Sequence, residues 1–136
     1  PYCLNFKNED YCRQIFENIF NVIFEKKRHR WLILNKIPLE LDGYNESIIT
    51  PFGKGIAFEY NGIFHKKIHW NTQSSLKYRK IILSRTKKND KFKINKCREK
   101  GILLIIIPYI IKHNKIKDFI IKKLKKNKIF YKENLK

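Results

Sequence analysis

Residues Leu39 to His65 read LELDGYNESIITPFGKGIAFEYNGIFH, and the two alternating segments inside that stretch govern how the rest of the chain is understood. Leu39 and Leu41 alternate with Glu40 and Asp42, and Ile56, Phe58 and Tyr60 alternate with Ala57, Glu59 and Asn61. A period of two is the signature of β-strands. Folding the second segment back on the first brings Asp42, Glu59 and Asn61 to one face of a hairpin. Two carboxylates held together repel, and in so basic a chain a hard divalent cation with oxygen ligands explains the pair better than fold stability does. Pro38 marks the start of the Asp42 strand, and Gly43 with Asn45 begins its exit turn. The connection Glu46 to Gly55 holds Pro51, Gly53 and Gly55 and reads as a long loop of the kind that approaches a substrate beside an active site.

On the N-terminal side, Asn8 is placed to cap a helix with Glu9 and Asp10 in its first turn, where the helix dipole favours acids. Tyr11, Ile15, Ile19, Val22 and Ile23 supply its apolar stripe. Glu9 and Arg13 are four apart, which fits a surface ion pair worth a few tenths of a kcal/mol; the alternative is that Glu9 reaches an active site from the helix start. A basic link, Glu25 to Arg30, leads to Trp31-Leu32-Ile33-Leu34, an apolar run suited to a buried strand. Lys26, Lys27, Arg28 and Arg30 either contact phosphates or stay solvated.

On the C-terminal side, His65 and His69 flank Lys66 and Lys67 and precede Trp70 in an irregular segment that starts at Gly62. His65 suits a general acid or base, since imidazole titrates near neutrality, and a structural or phosphate-contacting role fits His69 equally well. From Ser74 or Ser75 to Lys100 the pattern is helical, with a break near Asn89. Lys77 to Lys100 holds eleven Lys or Arg and two acids, a density that suits a surface tracking a phosphate backbone or a merely solvated face. Asp90 is nearly alone among cations there, placed to form a salt bridge or to order a water or Lys93. Gly101 ends the helix as a C′ glycine, and Ile102 to Ile107 reads as a central strand buried on both faces. Pro108-Tyr109 closes it. A last amphipathic helix starts at Asn114 with Ile116, Phe119, Ile120 and Leu124 inward, and the tail from Lys112 to Lys136 holds ten Lys and two acids.

With 136 residues, 43% hydrophobic, the chain has material for one core and one domain. Thirty-one Lys and Arg against twelve Asp and Glu leave a charge of +19, which draws polyanions and makes nucleic acid the leading partner. A membrane is not expected, because no apolar run approaches the ~20 residues needed to span one. Cys3, Cys12 and Cys97 show no C-x-x-C spacing, so they read as reduced intracellular thiols, partly in the core. The absence of Met, including at position 1, suggests a piece of a longer protein.

The order is helix, three strands, helix, strand, helix: an α/β chain with the αβββαβ core order of the restriction-endonuclease-like fold, a mixed central sheet flanked by helices, and an added basic C-terminal helix. Residues 1–8 form a lead, 9–109 the core and 110–136 the basic helix of a single domain. The segments Tyr11 to Glu17, Leu39 to Asn45, Ala57 to His65, Asp90 to Cys97 and Gly101 to Tyr109 resemble a family of nuclease-like proteins from large DNA viruses, near the very-short-patch-repair endonucleases and their homing-endonuclease relatives. The ELDGYN and AFEYNGIFH blocks carry the likeness most specifically.

That resemblance implies a PD-(D/E)xK site in which Glu9, Asp42, His65 and Asp90 match the relatives' E-D-x-H-D order, and Glu59 and Asn61 match the third-strand acid and the residue two beyond it. Asn61 stands where the superfamily usually has Lys, so the cation or base is expected from Lys93 or His65. It implies Mg²⁺ (or Mn²⁺) held by Asp42, Glu59 and Glu9, and hydrolysis of DNA phosphodiesters inside the cell, by a monomer or homodimer. Arg28, Arg30, Lys54, Lys66, Lys67, His69, Lys80, Arg85, Lys87 and Lys88 are expected to contact the DNA. A catalytically silent DNA-binding domain on the same fold is the alternative.

Overall fold

A computed structural model describes residues 4–61 and 73–129. The elements run α1 (Leu4–Phe20), β1 (Glu25–Lys27), β2 (Ile33–Leu34), β3 (Ile37–Pro38), β4 (Leu41–Thr50), β5 (Gly53–Asn61), α2 (Gln73–Glu99), β6 (Leu103–Pro108), a 3-10 turn over His113–Lys115 and α3 (Ile116–Lys126). One mixed sheet has the order β1-β4-β5-β6, antiparallel except for the parallel β5–β6 pair. The parallel connection is made through α2, as a crossover between parallel strands requires. The chain is therefore mixed α/β, as its pattern of elements leads one to expect.

The alternation in β5 sorts the core into two layers. Ile56, Phe58 and Tyr60 meet Cys12, Ile15 and Phe16 of α1 and Ile116, Ile120 and Leu124 of α3. On the other layer Ala57 joins Leu41, Cys97, Ile102 and Leu32. Cys12 and Cys97 are buried, and burial pushes both thiols up to about 12, so neither is a ready nucleophile at neutral pH. Cys3 lies outside the described residues. No helix among the described residues is long and apolar enough to cross a membrane.

Several expected boundaries are corrected. The connection Glu46 to Gly55 is not a loop: β4 and β5 pair almost to their ends, Thr50 opposite Gly53, leaving Pro51 and Phe52 as the turn. The register slips between Asn45 and Ile49, where Asn45 Oδ1 accepts from the Ser47 amide at 2.8 Å and its hydroxyl at 2.6 Å. This local bonding takes the extra residues up as a bulge within the ladder. Gly43 sits inside β4 opposite Phe58, and Pro38 closes β3 in place of opening the Asp42 strand.

The first strand of the main sheet is the charged Glu25–Lys27, not Trp31 to Leu34; Ile33–Leu34 pair instead with Ile37–Pro38 in a separate ribbon. An exposed edge tolerates charge, whereas Leu32 is drawn into the second core layer. α1 begins before Asn8, so Asn8 is no cap. It is buried within the helix, donating to the Tyr60 hydroxyl at 2.9 Å and sharing a hydrogen bond with His113 Nδ1 at 2.8 Å. Ile23 is exposed, lying past the end of α1 at Phe20. α2 runs unbroken through Asn89.

β6 is an edge strand of the described sheet in place of a central one, yet α2 and α3 both pack against it. That cover explains its unbroken Ile and Leu. Gly101 does cap α2: at φ +76 its amide bonds to Arg98 at 3.0 Å while Ile102 bonds to Cys97 at 2.8 Å, the paired bonds of a Schellman motif. The last helix starts at Ile116 after the 3-10 turn, slightly beyond Asn114.

Candidate functional site

Antiparallel register carries Asp42 level with Glu59, two steps along from the Tyr44–Ala57 pair. Asp42 Oδ2 accepts the Tyr60 amide at 2.8 Å, while Glu59 Oε1 pairs with Lys93 Nζ of α2. Lys93 is buried and also donates to the Glu40 carbonyl at 3.1 Å. Asn61, at the end of β5, donates to Asp90 Oδ2 at 2.7 Å. Two strands and one helix thus bring Asp42, Glu59, Asn61, Asp90 and Lys93 together from positions as far apart as 42 and 93.

Glu9 joins them from α1 through charge. Its carboxylate meets Arg13 at 3.5 Å and Lys26 at 3.1 Å, and its field falls on Asp42. The expected ion pair with Arg13 is present, and Glu9 lies close enough to Asp42 for its charge to raise that carboxyl. Arg13 itself was not singled out as a site residue. Its guanidinium spans Glu9, Asp10, the Phe24 carbonyl and the Asp42 carbonyl, so it ties α1 to the start of β4. The spacing of Glu9 and Arg13 signals the helix pair, but nothing local signals a bond across twenty-nine residues.

Burial pushes the Asp42 carboxyl up to about 6, with the Tyr60 amide opposing and Glu9 adding to the rise. Burial also pushes Glu59 up to about 7; Lys93 opposes this, and Asp42 and Asp90 reinforce it. Asp90 is raised as well, chiefly by burial, with Asn61 and Lys93 pulling it down. Low-dielectric surroundings and converging like charges both disfavour the ionised forms.

Asp42 and Glu59 hold protons in the folded chain at pH values where the unfolded chain has released them. Their contribution to stability is fully present below about pH 4, the range of unfolded carboxyls, and is lost as pH rises through 6 and 7. At constant ionic strength and without divalent cations, the urea midpoint attributable to this site should be higher at pH 5 than at pH 8. Asp42→Asn should flatten that difference, and an unchanged slope in the variant would assign the effect elsewhere.

Glu59 Oε2 is buried with no hydrogen-bond partner among the described residues. An orphaned carboxylate oxygen beside a second, half-buried carboxylate is a donor set of the hard, anionic kind that Mg²⁺ takes, commonly with one or two carboxylates and the rest water and phosphate. Asp42 and Glu59 fit such an ion. Glu9, already engaged by Arg13 and Lys26, fits it less directly. Among the described residues no group of three or more His, Cys, Asp or Glu is gathered tightly enough to form an all-protein metal cage.

The chain is similar to an uncharacterised viral protein. Over 128 residues it is 33% identical to the uncharacterised protein 033L of Invertebrate iridescent virus 3; the match takes in 88% of this chain and 57% of the relative, so the chain spans a little over half of the relative's length. No protein-family model matches the chain, and no solved structure matches it.

The remaining expected contacts divide. His65, Lys66, Lys67 and His69 lie outside the described residues. Arg30, Lys80, Arg85, Lys87 and Lys88 are exposed, and Arg28 is exposed while pairing with Glu40 at 3.2 Å. Lys54 is exposed but lies near the hairpin turn, opposite Ile49. Five residues of strand separate it from Glu59, roughly 16 Å at the rise of a β-strand, so it does not join the carboxylates.

Proposed function

We propose that the chain is a divalent-cation-dependent DNA endonuclease on a restriction-endonuclease-like core. The observation that carries this reading is the meeting of Asp42 and Glu59 on neighbouring strands with Lys93 from α2, one carboxylate oxygen having no partner among the described residues. Helix, antiparallel three-stranded meander, helix and a strand parallel to the third support the core assignment. The charge of +19 supports a polyanionic substrate held through its phosphates.

In this reading Asp42 and the free oxygen of Glu59 hold Mg²⁺ or Mn²⁺, which supplies Lewis-acid stabilisation of the charge developing on the scissile phosphate. Arg13 keeps Asp42 in place through its carbonyl, and Glu9 orients Arg13. Lys93, paired with Glu59, contributes positive charge near the phosphate and stands in for the lysine that Asn61 replaces. Proton transfer falls to His65, whose imidazole suits a general acid or base. Asp90 fixes the amide of Asn61. Exposed Arg and Lys of α2 hold the backbone in register without reading sequence, and the protein acts at DNA inside the cell.

The test is a supercoiled plasmid incubated with Mg²⁺ or Mn²⁺, wild type beside Asp42→Ala. Cutting should fall at least about 100-fold in the variant, with DNA binding kept within a few fold. Mg²⁺ should also raise the wild-type melting temperature at pH 8, and not that of Asp42→Asn. Cutting retained by Asp42→Ala sinks the proposal. Binding without nicking by the wild type would favour a silent DNA-binding domain, the reading to which the Asn61–Asp90 bond lends support.

A further inference from the structure

We propose that the cleft between the β2–β3 ribbon and α2 binds one unpaired DNA strand, so that the preferred substrate carries a single-stranded segment, as in a fork or flap, rather than being a continuous duplex. This rests on the reading of the neighbouring carboxylates as a DNA-cutting site.

The cleft holds about 750 Å³ and is open on one side, the size of a pocket for small-molecule-sized groups, which gives the bases of one strand room to enter. Arg85, Lys88 and Lys91 of α2 form its rim, and among the described residues no acidic side chain lines it. Phe92, Leu39 and Ile37 form its apolar floor and wall. Phosphates along a cationic rim with bases against an apolar and aromatic floor are the means by which proteins hold single strands.

The ribbon is built to present this wall. Its turn, Asn35-Lys36, has both residues at positive φ, 51° and 66°, the conformation that closes a two-residue hairpin and that lysine rarely adopts. Ile37 is left 61% exposed and Ile33 47%, apolar surface with no role in either core layer. The ribbon is anchored at its root, where the Leu39 amide donates to the Leu32 carbonyl at 2.9 Å and the Glu40 carbonyl accepts from Lys93.

The cleft adjoins the carboxylates through one stretch of helix. Asn89, Lys91 and Phe92 line the cleft, while Asp90 and Lys93, interleaved with them, bond to Asn61 and Glu59. A strand seated on the first set passes beside the second.

Fluorescence anisotropy with labelled forked DNA and a blunt duplex of equal length tests this. Wild type should bind the fork about tenfold tighter, the scale of a single lost or gained base stack. Ile37→Asp and Arg85→Glu should bring the ratio close to one, with the urea midpoint of Ile37→Asp unchanged because the side chain is mostly exposed. Lys117→Glu, an equal change of charge to that of Arg85→Glu but on α3, should keep the ratio. A wild-type ratio near one, or a preference that survives both cleft variants, overturns the proposal. Asp42-dependent cutting without a fork preference removes this inference alone; a fork preference lost in the cleft variants, with no cutting, upholds the cleft and removes the nuclease reading.

Discussion

Lys93→Met should cost the fold about 3–5 kcal/mol at pH 8, the effect of stripping one partner from a buried ion pair. Lys93 and Glu59 each keep only 10% of their side-chain surface exposed, and Lys93 also satisfies the Glu40 carbonyl. Removing the ammonium leaves a carboxylate with neither of its oxygens partnered among the described residues, beside Asp42 and Asp90. Glu59 then answers by holding its proton to still higher pH, since the amine was the main influence lowering it. The loss should therefore be smaller at pH 5 than at pH 8, the sign expected of a carboxyl whose folded value is raised. Urea denaturation at the two pH values measures this. Adding Glu59→Gln to Lys93→Met removes the stranded charge and should recover at least about 2 kcal/mol at pH 8. Equal losses at both pH values, with no recovery in the double variant, would mean that Lys93 stabilises through its bond to the Glu40 carbonyl and not through the charge of Glu59.

The second large effect is expected at Gly43→Ala. A Cβ built there lies 1.9 Å from the Phe58 ring, so the ring must move. Phe58 has nowhere to go: it is fully buried, stacked on Phe16 at 4.9 Å, tilted against Phe24 at 6.2 Å, with the Arg13 guanidinium 5.8 Å from its centre. Overpacking of this kind costs about 1–3 kcal/mol, occasionally more, and the rigid stack places this position at the upper end. A smaller ring neighbour should relieve it, so Phe58→Leu in the Gly43→Ala background should cost less than Phe58→Leu in the wild type. Chemical denaturation of the four proteins tests the coupling. Strict additivity would show that the ring and the new methyl never compete.

The same displacement of Phe58 bears on the site. Gly43 follows Asp42, and Phe58 precedes Glu59, so a shift that relieves the clash moves one or both carboxylates. Arg13 adds to this link, because its guanidinium lies over the Phe58 ring and grips the Asp42 carbonyl. Core packing and carboxylate placement are one mechanical unit here.

Much of this was legible in the residues alone. The alternation Ile56-Ala57-Phe58-Glu59-Tyr60-Asn61 specified β5 and its two faces, because side chains on a strand point alternately and water separates apolar from polar. The pairing of Asp42 with Glu59 followed from two such strands meeting. Gly101 declared the end of α2, since few other residues take a left-handed cap without strain. Ile116, Ile120 and Leu124 declared the inner face of α3. Each of these is a local rule, written in a window of a few residues.

What failed was local reasoning applied where a distant partner decides. Gly43, Pro51 and Gly53 suggested loop and turn, yet β4 continues through Gly43 because Phe58 needs the space that a missing side chain leaves. Asn8 looked like a cap and is instead a buried link between Tyr60 and His113. Trp31 to Leu34 looked like a core strand, whereas the sheet edge went to Glu25–Lys27, whose backbone could pair with β4 while its side chains stayed in water. By itself, then, the sequence determined the helices, β5 and β6, most of their inward faces and the charge, because periodicity and composition act over short range. Only tertiary structure decided that Lys93 would reach Glu59, that Arg13 would grip Asp42 and that one oxygen of Glu59 would find no partner among the described residues, because those contacts depend on how elements far apart in the chain pack around one shared core.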